Sequence, residues 1–411
     1  MASALPALSR MAVRNVRKHW RHSLGSMLSI AVGFVAIALF SGYLDDLAER
    51  QARTLSRRSM LGDIIVEHAD ARARVRRDDP WAHQLGDAEQ RFVEDFLAAQ
   101  RTSVAARARF LDLTGLASAG KAGMVFLGVG HDVAEGRLLR GELADNATAG
   151  VPLAEGQGDQ VVLAEGLGAA LECLAQQRHG VATPGLACKR PRVQLTATTQ
   201  AGRLNVAEPR VVGLVGAGLK ELDARLLLLP LPLAQRLTDT TAVSRYSVQL
   251  APGVDAVAFA VRLEAAARAL GMPIVATRWQ EHPVGDLYRR SMELLAAFRS
   301  FVVVIVVVIA AMSVWMTMMR AVAERTREVG MLRSLGFLRR HIVGLFLLEA
   351  CWLTLASCVA GALATVALIA ACNRAGIRYR AGVLADSIPL AVAVVPGVWL
   401  SAVAFLSTVA G

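Results

Sequence analysis

The chain has 411 residues, of which 54% are hydrophobic and 19% charged, with a formal net charge of +11. A mean hydropathy of +0.43 argues against two wholly soluble domains, which the length alone would allow. The positive excess is uneven: residues 45–300 hold 31 Lys/Arg against 30 Asp/Glu, and the remainder holds 14 against 4. It therefore lies beside the apolar segments, where it sets membrane orientation, and not on a folded basic face of the kind that binds nucleic acid. No nucleic-acid partner is expected.

In chain order, residues 1–23 form a basic cytoplasmic segment. Within it, Leu8, Met11, Ala12, Val16 and Trp20 recur at helical spacing between basic residues. This pattern fits either a helix lying in the headgroup layer or an extension of the first span. A span needs about 20 apolar residues. Four stretches qualify: 24–44, 301–319, 342–372 and 389–411. The first is too long for a signal-peptide core and no small-residue cleavage pattern follows it, so it reads as an uncleaved anchor.

Arg10, Arg14, Arg17, Lys18 and Arg21 precede the first span, and Asp45, Asp46 and Glu49 follow it. The N-terminus is thus expected in the cytoplasm and residues 45–300 outside. The loop 320–341, with six Arg and two Glu, returns to the cytoplasm. Residues 373–388 make a short outer turn, whose three arginines go mildly against the same rule. The expectation is a multi-pass protein of the cytoplasmic (inner) membrane: an α-helical membrane protein with four transmembrane helices plus a mixed α/β extracytoplasmic domain.

In the exported block, strands are expected at 63–66, 109–116, 125–129, 161–163, 193–198, 210–215, 225–229, 246–250 and 274–278. Helices are expected at 87–100, 164–175 and 255–270, with a short helical turn at 233–237. Asp45–Met60 and Gly285–Arg299 keep helical patterning into the adjoining spans, without the Gly, Ser and Pro richness of a tether. They predict stiff stalks; from Leu24 to Ser59 the first would measure about 50 Å. Cys173 and Cys188 share this block, whose compartment permits a disulfide, although spacing alone leaves two free thiols equally open.

No catalytic constellation is apparent. The histidines are scattered, and neither H-E-x-x-H, C-x-x-C nor G-x-S-x-G occurs. His131–Asp132 lacks a third partner. Gly115–Ala122 nearly spells a phosphate loop, but Ala122 stands where the Mg²⁺-binding hydroxyl is needed, so a turn between strands is the better reading. An enzyme is not expected, nor a cofactor bound directly.

The informative stretch is the loop 320–341. Glu324, Arg327 and Glu328 fall at i, i+3 and i+4 and would share a helical face. Val329, Leu332 and Leu335 form an apolar edge, Gly330 permits close approach, and Gly336 sits where a helix would stop. Eight residues into the third span, about 12 Å past His341, lies Glu349, an intramembrane acid read chiefly as pairing with a loop arginine.

Residues 324–336, ERTREVGMLRSLG, resemble the signature of the FtsX-like permeases of MacB-type ABC systems, which include the LolC/LolE lipoprotein-release permeases. Residues 15–33, 128–139 and 161–171 are more loosely similar to other parts of that family. The resemblance implies four spans, an FtsX-like permease domain over 301–411, and a MacB-like core domain with stalk helices over 45–300. It implies a homodimer, or a heterodimer with a related permease, working with a separate cytoplasmic ABC ATPase that holds the ATP and Mg. An extracytoplasmic adaptor or carrier protein and membrane lipids are the further partners it suggests.

In that arrangement the loop is a coupling helix. Val329, Met331, Leu332 and Leu335 bury against the ATPase. Glu324, Arg325, Arg327, Glu328 and Arg333 orient the helix by charge, and Gly330 and Gly336 allow approach and a turn. ATP-driven motion would be relayed outward by the stalks, exporting or extracting a lipid-like, lipoprotein or amphiphilic substrate. The alternative is a non-transporting transmitter that switches an extracytoplasmic hydrolase. The family usually continues into a short basic tail past the fourth span; this sequence ends at Gly411.

Overall fold

The computed structural model describes residues 14, 20–72, 83–141, 147–176, 184–217, 220–380, 387–389, 391–394, 396–397, 399–400 and 403–404. Its helices are α1 (Trp20–Arg58), α2 (Asp87–Ala99), α3 (Val133–Arg140), α4 (Glu165–Ala170), α5 (Lys220–Asp223), α6 (Leu231–Thr238), α7 (Ala256–Ala269), α8 (Asp286–Glu324), α9 (Thr326–Ser334) and α10 (Arg339–Ala375). The chain divides into two compact units. One comprises residues 1–50, 290–379 and 388–411; the other comprises 51–289 and 380–387.

Among the described residues three helices are long and apolar enough to cross a membrane, at Leu24–Arg58, Tyr288–Glu324 and Arg339–Ala375. The fourth expected span, 389–411, lies mostly outside the described residues, as does most of the basic segment 7–22. Both patterns read as stalks are helical: α1 and α8 each run 39 residues without interruption.

The first unit packs α1, α8 and α10 through Ile30, Phe34, Ile37, Val307, Ala310, Ala350 and Cys358. Small residues set the closeness of that packing. A Cβ on Gly361 would come within 3.0 Å of the Ala31 carbonyl oxygen, and one on Gly33 within 2.8 Å of Val306. Such sites let apolar helices approach where the hydrophobic effect gives little help. Ser357 and Thr365 donate back to the carbonyls of Leu353 and Gly361, which satisfies their hydroxyls inside the helix. Beyond this core, Arg299 reaches Asp45 at 3.3 Å.

The second unit is built on strands β1 (Ile64–His68), β2 (Val104–Ala119), β3 (Ala122–His131), β4 (Ala147–Gly150), β5 (Gln160–Ala164), β6 (Cys173–Gln176), β7 (Gly185–Cys188), β8 (Gln194–Thr198), β9 (Leu204–Ala207), β10 (Arg210–Val215), β11 (Leu226–Pro230), β12 (Arg245–Leu250) and β13 (Ile274–Arg278). One sheet has the order β13-β1-β12-β2-β3-β11-β5-β10-β4, with β8 pairing to β2 and β9 to β8. β3/β11 and β5/β10 are parallel. Strand alternation sends Leu111 and Leu113 to a face covered by α2, α6 and α7 and Phe110 to the opposite face, with Met60 and Leu139.

The expected strands at 109–116 and 125–129 are the middle of a longer hairpin, paired from Phe110↔His131 to Ala119↔Ala122. The phosphate-loop lookalike is its tip: Gly115 lies within β2, Ala122 opens β3, and Gly120 turns the chain with φ +68°, a conformation that favours glycine. His131 and Asp132 do not act together. Asp132 accepts from Arg109 Nε and Nη2 at 2.8 and 3.0 Å, while His131 is buried and stacked on Phe110.

One helix is shorter than the pattern suggested. The expected 164–175 helix stops at Ala170, Glu172 takes a positive φ, and Cys173–Gln176 is a strand instead. That strand pairs with β7, which places Cys173 opposite Cys188 and joins them in a disulfide. Helix α3 and the short strands β4, β7 and β9 carry too little periodicity to have been expected. A buried pair ties β1 to the turn before α8: His282 Nε2 donates to Glu67 at 3.1 Å while its Nδ1 accepts from the Val284 amide.

Two outcomes follow. Denatured, unreduced protein should show three reactive thiols, those of Cys351, Cys358 and Cys372, and five after reduction. A C173S/C188S variant should lose about 2–3 kcal/mol of stability in urea titration, as expected on opening a loop of 15 residues. Burial, reinforced by the charge of Arg140, lowers the His131 pKa from 6.5 to about 4. Between those values the unfolded chain binds the extra proton. The contribution of neutral His131 is therefore complete above pH 6.5 and falls away by up to about 3 kcal/mol as the pH drops to 4. A His131→Gln variant should show a correspondingly flatter acid limb in unfolding midpoint against pH.

Candidate functional site: the loop helix between two apolar helices

Helix α8 ends at Glu324, and Arg325 breaks the run with φ −106° and ψ 20° before α9 begins at Thr326. The sequence stops α9 in an orderly way. Gly336 takes φ +88°; its amide donates to the Arg333 carbonyl and the Phe337 amide to that of Leu332, each at 3.1 Å. This paired closure satisfies two of the helix's last carbonyls and needs a residue free of the Cβ penalty at position 336. Helix α10 then starts at Arg339.

The break at Arg325 changes the expected charge pairing. Glu324 closes one helix while Arg327 and Glu328 belong to the next, so the i, i+3, i+4 face is not continuous through them. Among the described residues Glu324, Arg327, Glu328 and Arg333 form no ion pair, and all four are exposed. Arg325 turns inward instead. Its Nη1 donates to both carboxylate oxygens of Glu349, at 3.0 and 3.1 Å. The side chains are 10% and 5% exposed. Each charge would be costly to bury alone, and each offsets the other's desolvation. The expectation that Glu349 meets a loop arginine thus has a specific answer. The loop offers six arginines of similar promise, and the backbone break at Arg325 selects one.

The apolar positions divide in the same way. Val329 and Leu332 are half-buried, whereas Met331 is 60% exposed and Leu335 69%. Phe337 and Leu338 continue the exposed apolar surface beyond the turn. Among the described residues, helix α9 has no buried residue, and nothing lies within 4 Å of where a Cβ on Gly330 would stand. The expected edge of Val329, Leu332 and Leu335 is therefore not one equivalent stripe. Met331 and Leu335 face away from this chain's own packing, and the Gly330 position is open for another backbone to approach.

The ion pair has a clear signature. Glu349→Ala would strand the buried guanidinium and should destabilise the membrane unit by about 3–5 kcal/mol. An R325M/E349L double variant, which removes both charges and keeps volume, should recover most of that loss. Refolding midpoints in mixed micelles across this double-mutant cycle give the measurement.

Solved structures resemble the chain weakly. The periplasmic region of MacB from Actinobacillus actinomycetemcomitans aligns at 12% identity, covering 56% of this chain and 92% of that one, with a TM-score of 0.37. The extracellular domain of a noncanonic ABC-type transporter, YknZ, from Gram-positive bacteria aligns at 9% identity, covering 53% and 100%, with a TM-score of 0.35. Among curated proteins none matches the chain. The membrane side is more specific. Residues 300–411, which contain the loop helix and its buried ion pair, match the FtsX-like permease C-terminal family, and over that stretch the chain resembles FtsX-like permeases.

Proposed function

We propose that the chain is the membrane subunit of an ABC transporter in which α9 is the coupling helix. A separate cytoplasmic ATPase, carrying ATP and Mg, docks on it. The motion of that ATPase is relayed through α1 and α8 to the α/β unit on the far side of the membrane, where a lipid-like, lipoprotein or amphiphilic substrate is exported or extracted. The protein would act as a dimer, with itself or with a related permease.

The observation that carries this reading is the unpartnered helix α9. A nine-residue helix with no fully buried residue, and only Val329 and Leu332 half-buried among the described residues, gains little packing energy there, yet isolated helices this short are marginal in water. Its exposed apolar groups, Met331 and Leu335, with Phe337 and Leu338 just beyond, need a hydrophobic receptor. The unpaired charges of Arg327, Glu328 and Arg333 would frame that contact as a polar rim. The closing turn at Gly336 and the Arg325–Glu349 pair hold both ends of the helix, so binding would cost little further ordering. The relay is supported by helix length. Each of α1 and α8 has 39 residues, about twice what a bilayer requires. Neither carries a proline, the usual cause of a sharp kink.

An M331E/L335E variant should still insert and fold, since both positions are exposed, and should lose at least about tenfold of its ATPase copurification, consistent with burying two charges at an apolar contact. Undiminished copurification would remove α9 as the docking element. In intact cells, a membrane-impermeant maleimide should label a cysteine placed at the exposed Lys121 and should not label one placed at Arg327. The reverse pattern would overturn the assigned orientation.

A further inference from the structure

The sheet of the α/β unit is not filled equally on its two faces. The hairpin register puts Asp112 opposite Val129 and Thr114 opposite Leu127; β11 adds Leu226 beside Leu127 and Leu228 beside Val129. All of these belong to the face opposite the three packed helices. There the core closes around Phe110, Met60 and Leu139 but leaves a cavity of about 910 Å³. That is within the roughly 300–1,000 Å³ typical of small-molecule sites.

The chemistry of the wall is uneven as well. Eleven of the 23 lining residues are aliphatic, Met60 included, and three arginines, Arg58, Arg140 and Arg245, reach the cavity against one acid, Asp112. Arg245 is matched: its Nη1 donates to Asp112 and its guanidinium lies 4.7 Å from the Phe110 ring centroid. Even so, its Nε is buried with no hydrogen-bond acceptor among the described residues. Arg140, at the end of α3, forms no hydrogen bond or ion pair among the described residues, and burial alone lowers its pKa to about 10. Arg140 is half-buried; a partly desolvated guanidinium without an anion is costly, and the aliphatic residues lining the same cavity do nothing to solvate it. An anion placed there would recover the cost, and an attached hydrocarbon would fill the remaining space.

We propose that this cavity binds a single-chain anionic amphiphile, its carboxylate or phosphate head at Arg140 and its alkyl chain along Leu127, Val129, Leu226 and Leu228. Arg58 and Arg245 line the same cavity and add positive potential to it. The assignment gives the chemical class of cargo for the permease proposed above and rests on that reading for its biological role. Binding itself needs no ATPase. Failure of the binding test leaves the coupling reading intact, and loss of ATPase docking leaves this site intact.

The test uses the full chain in nanodiscs of phosphatidylcholine, with empty nanodiscs as reference and a dansyl-labelled undecanoate as probe. Competitors share one tail and differ in head: laurate, dodecyl phosphate, dodecyl maltoside and dodecyltrimethylammonium. The probe should bind above the empty-disc level. Laurate and dodecyl phosphate should displace it at concentrations at least about tenfold below the maltoside, since a charge-assisted contact is worth that much, and the cation should fail to displace it. Laurate against dodecyl phosphate distinguishes a carboxylate from a phosphate head. Arg140→Gln should weaken both anions about tenfold and leave the maltoside unchanged. Leu127→Trp, which narrows the apolar part, should weaken all tail-bearing ligands. The proposal is overturned if the probe binds no better than to empty discs, if neutral and anionic heads compete equally, or if both variants bind as the parent does.

Discussion

The arrangement of the membrane unit depends on one buried ion pair. Arg325 and Glu349 are both charged groups that could not be buried singly, and together they fix where α8 ends and α10 is met. The pair draws Arg325 out of the helical run, and that break releases α9 as a separate short helix. Had Arg325 stayed solvated, α8 could have run on through Thr326, and Glu349 would have remained an unmatched acid among Ala350, Leu353 and Thr354. The exposure of Met331 and Leu335 is a consequence of where that break falls. The charges that the loop keeps on its surface, and the apolar groups beside them, are therefore presented together.

The α/β unit shows the same tension between charge and burial with a different outcome. Glu67 with His282, Asp132 with Arg109 and Asp112 with Arg245 each satisfy a charge or polar group locally. Arg140 is half-buried without such a partner among the described residues. A fold that closes three such pairs and leaves Arg140 unpaired among its described residues, beside a partly apolar cavity, has an asymmetry that its core packing does not require. Its opposite face is filled by side chains from α2, α6 and α7, whereas on the cavity face the described packing closes around Phe110, Met60 and Leu139, so the cavity does not reflect a generally loose core.

Much of this was legible in the residues. Three of the four spans read from apolar runs lie within α1, α8 and α10, the fourth falling mostly outside the described residues, and Ile274–Arg278 and Arg210–Val215 are strands with the expected bounds. Gly336 as a stop and Gly120 as part of a turn were visible because positive φ has a residue signature. The helix expected at 164–175 failed for an identifiable reason: Glu172 adopts a left-handed backbone that propensity does not signal, and pairing of β6 with β7 outweighs local helical preference. Strands such as β4 and β9, of four residues each, are too short for periodicity and exist only because neighbouring strands supply their hydrogen bonds.

The residues alone mark the apolar helices, the near-neutral block between the first two and the charged, glycine-punctuated loop helix. Each of these is written in local composition and spacing, which act over one or two turns. Tertiary structure alone decided which of six arginines meets Glu349, that Cys173 faces Cys188, and that Arg140 and Arg245 border one cavity with Leu127 and Leu228. Those relations join residues 15 to more than 100 positions apart. They depend on strand register and on the cost of burying charge, and neither quantity is encoded in any single stretch of the chain.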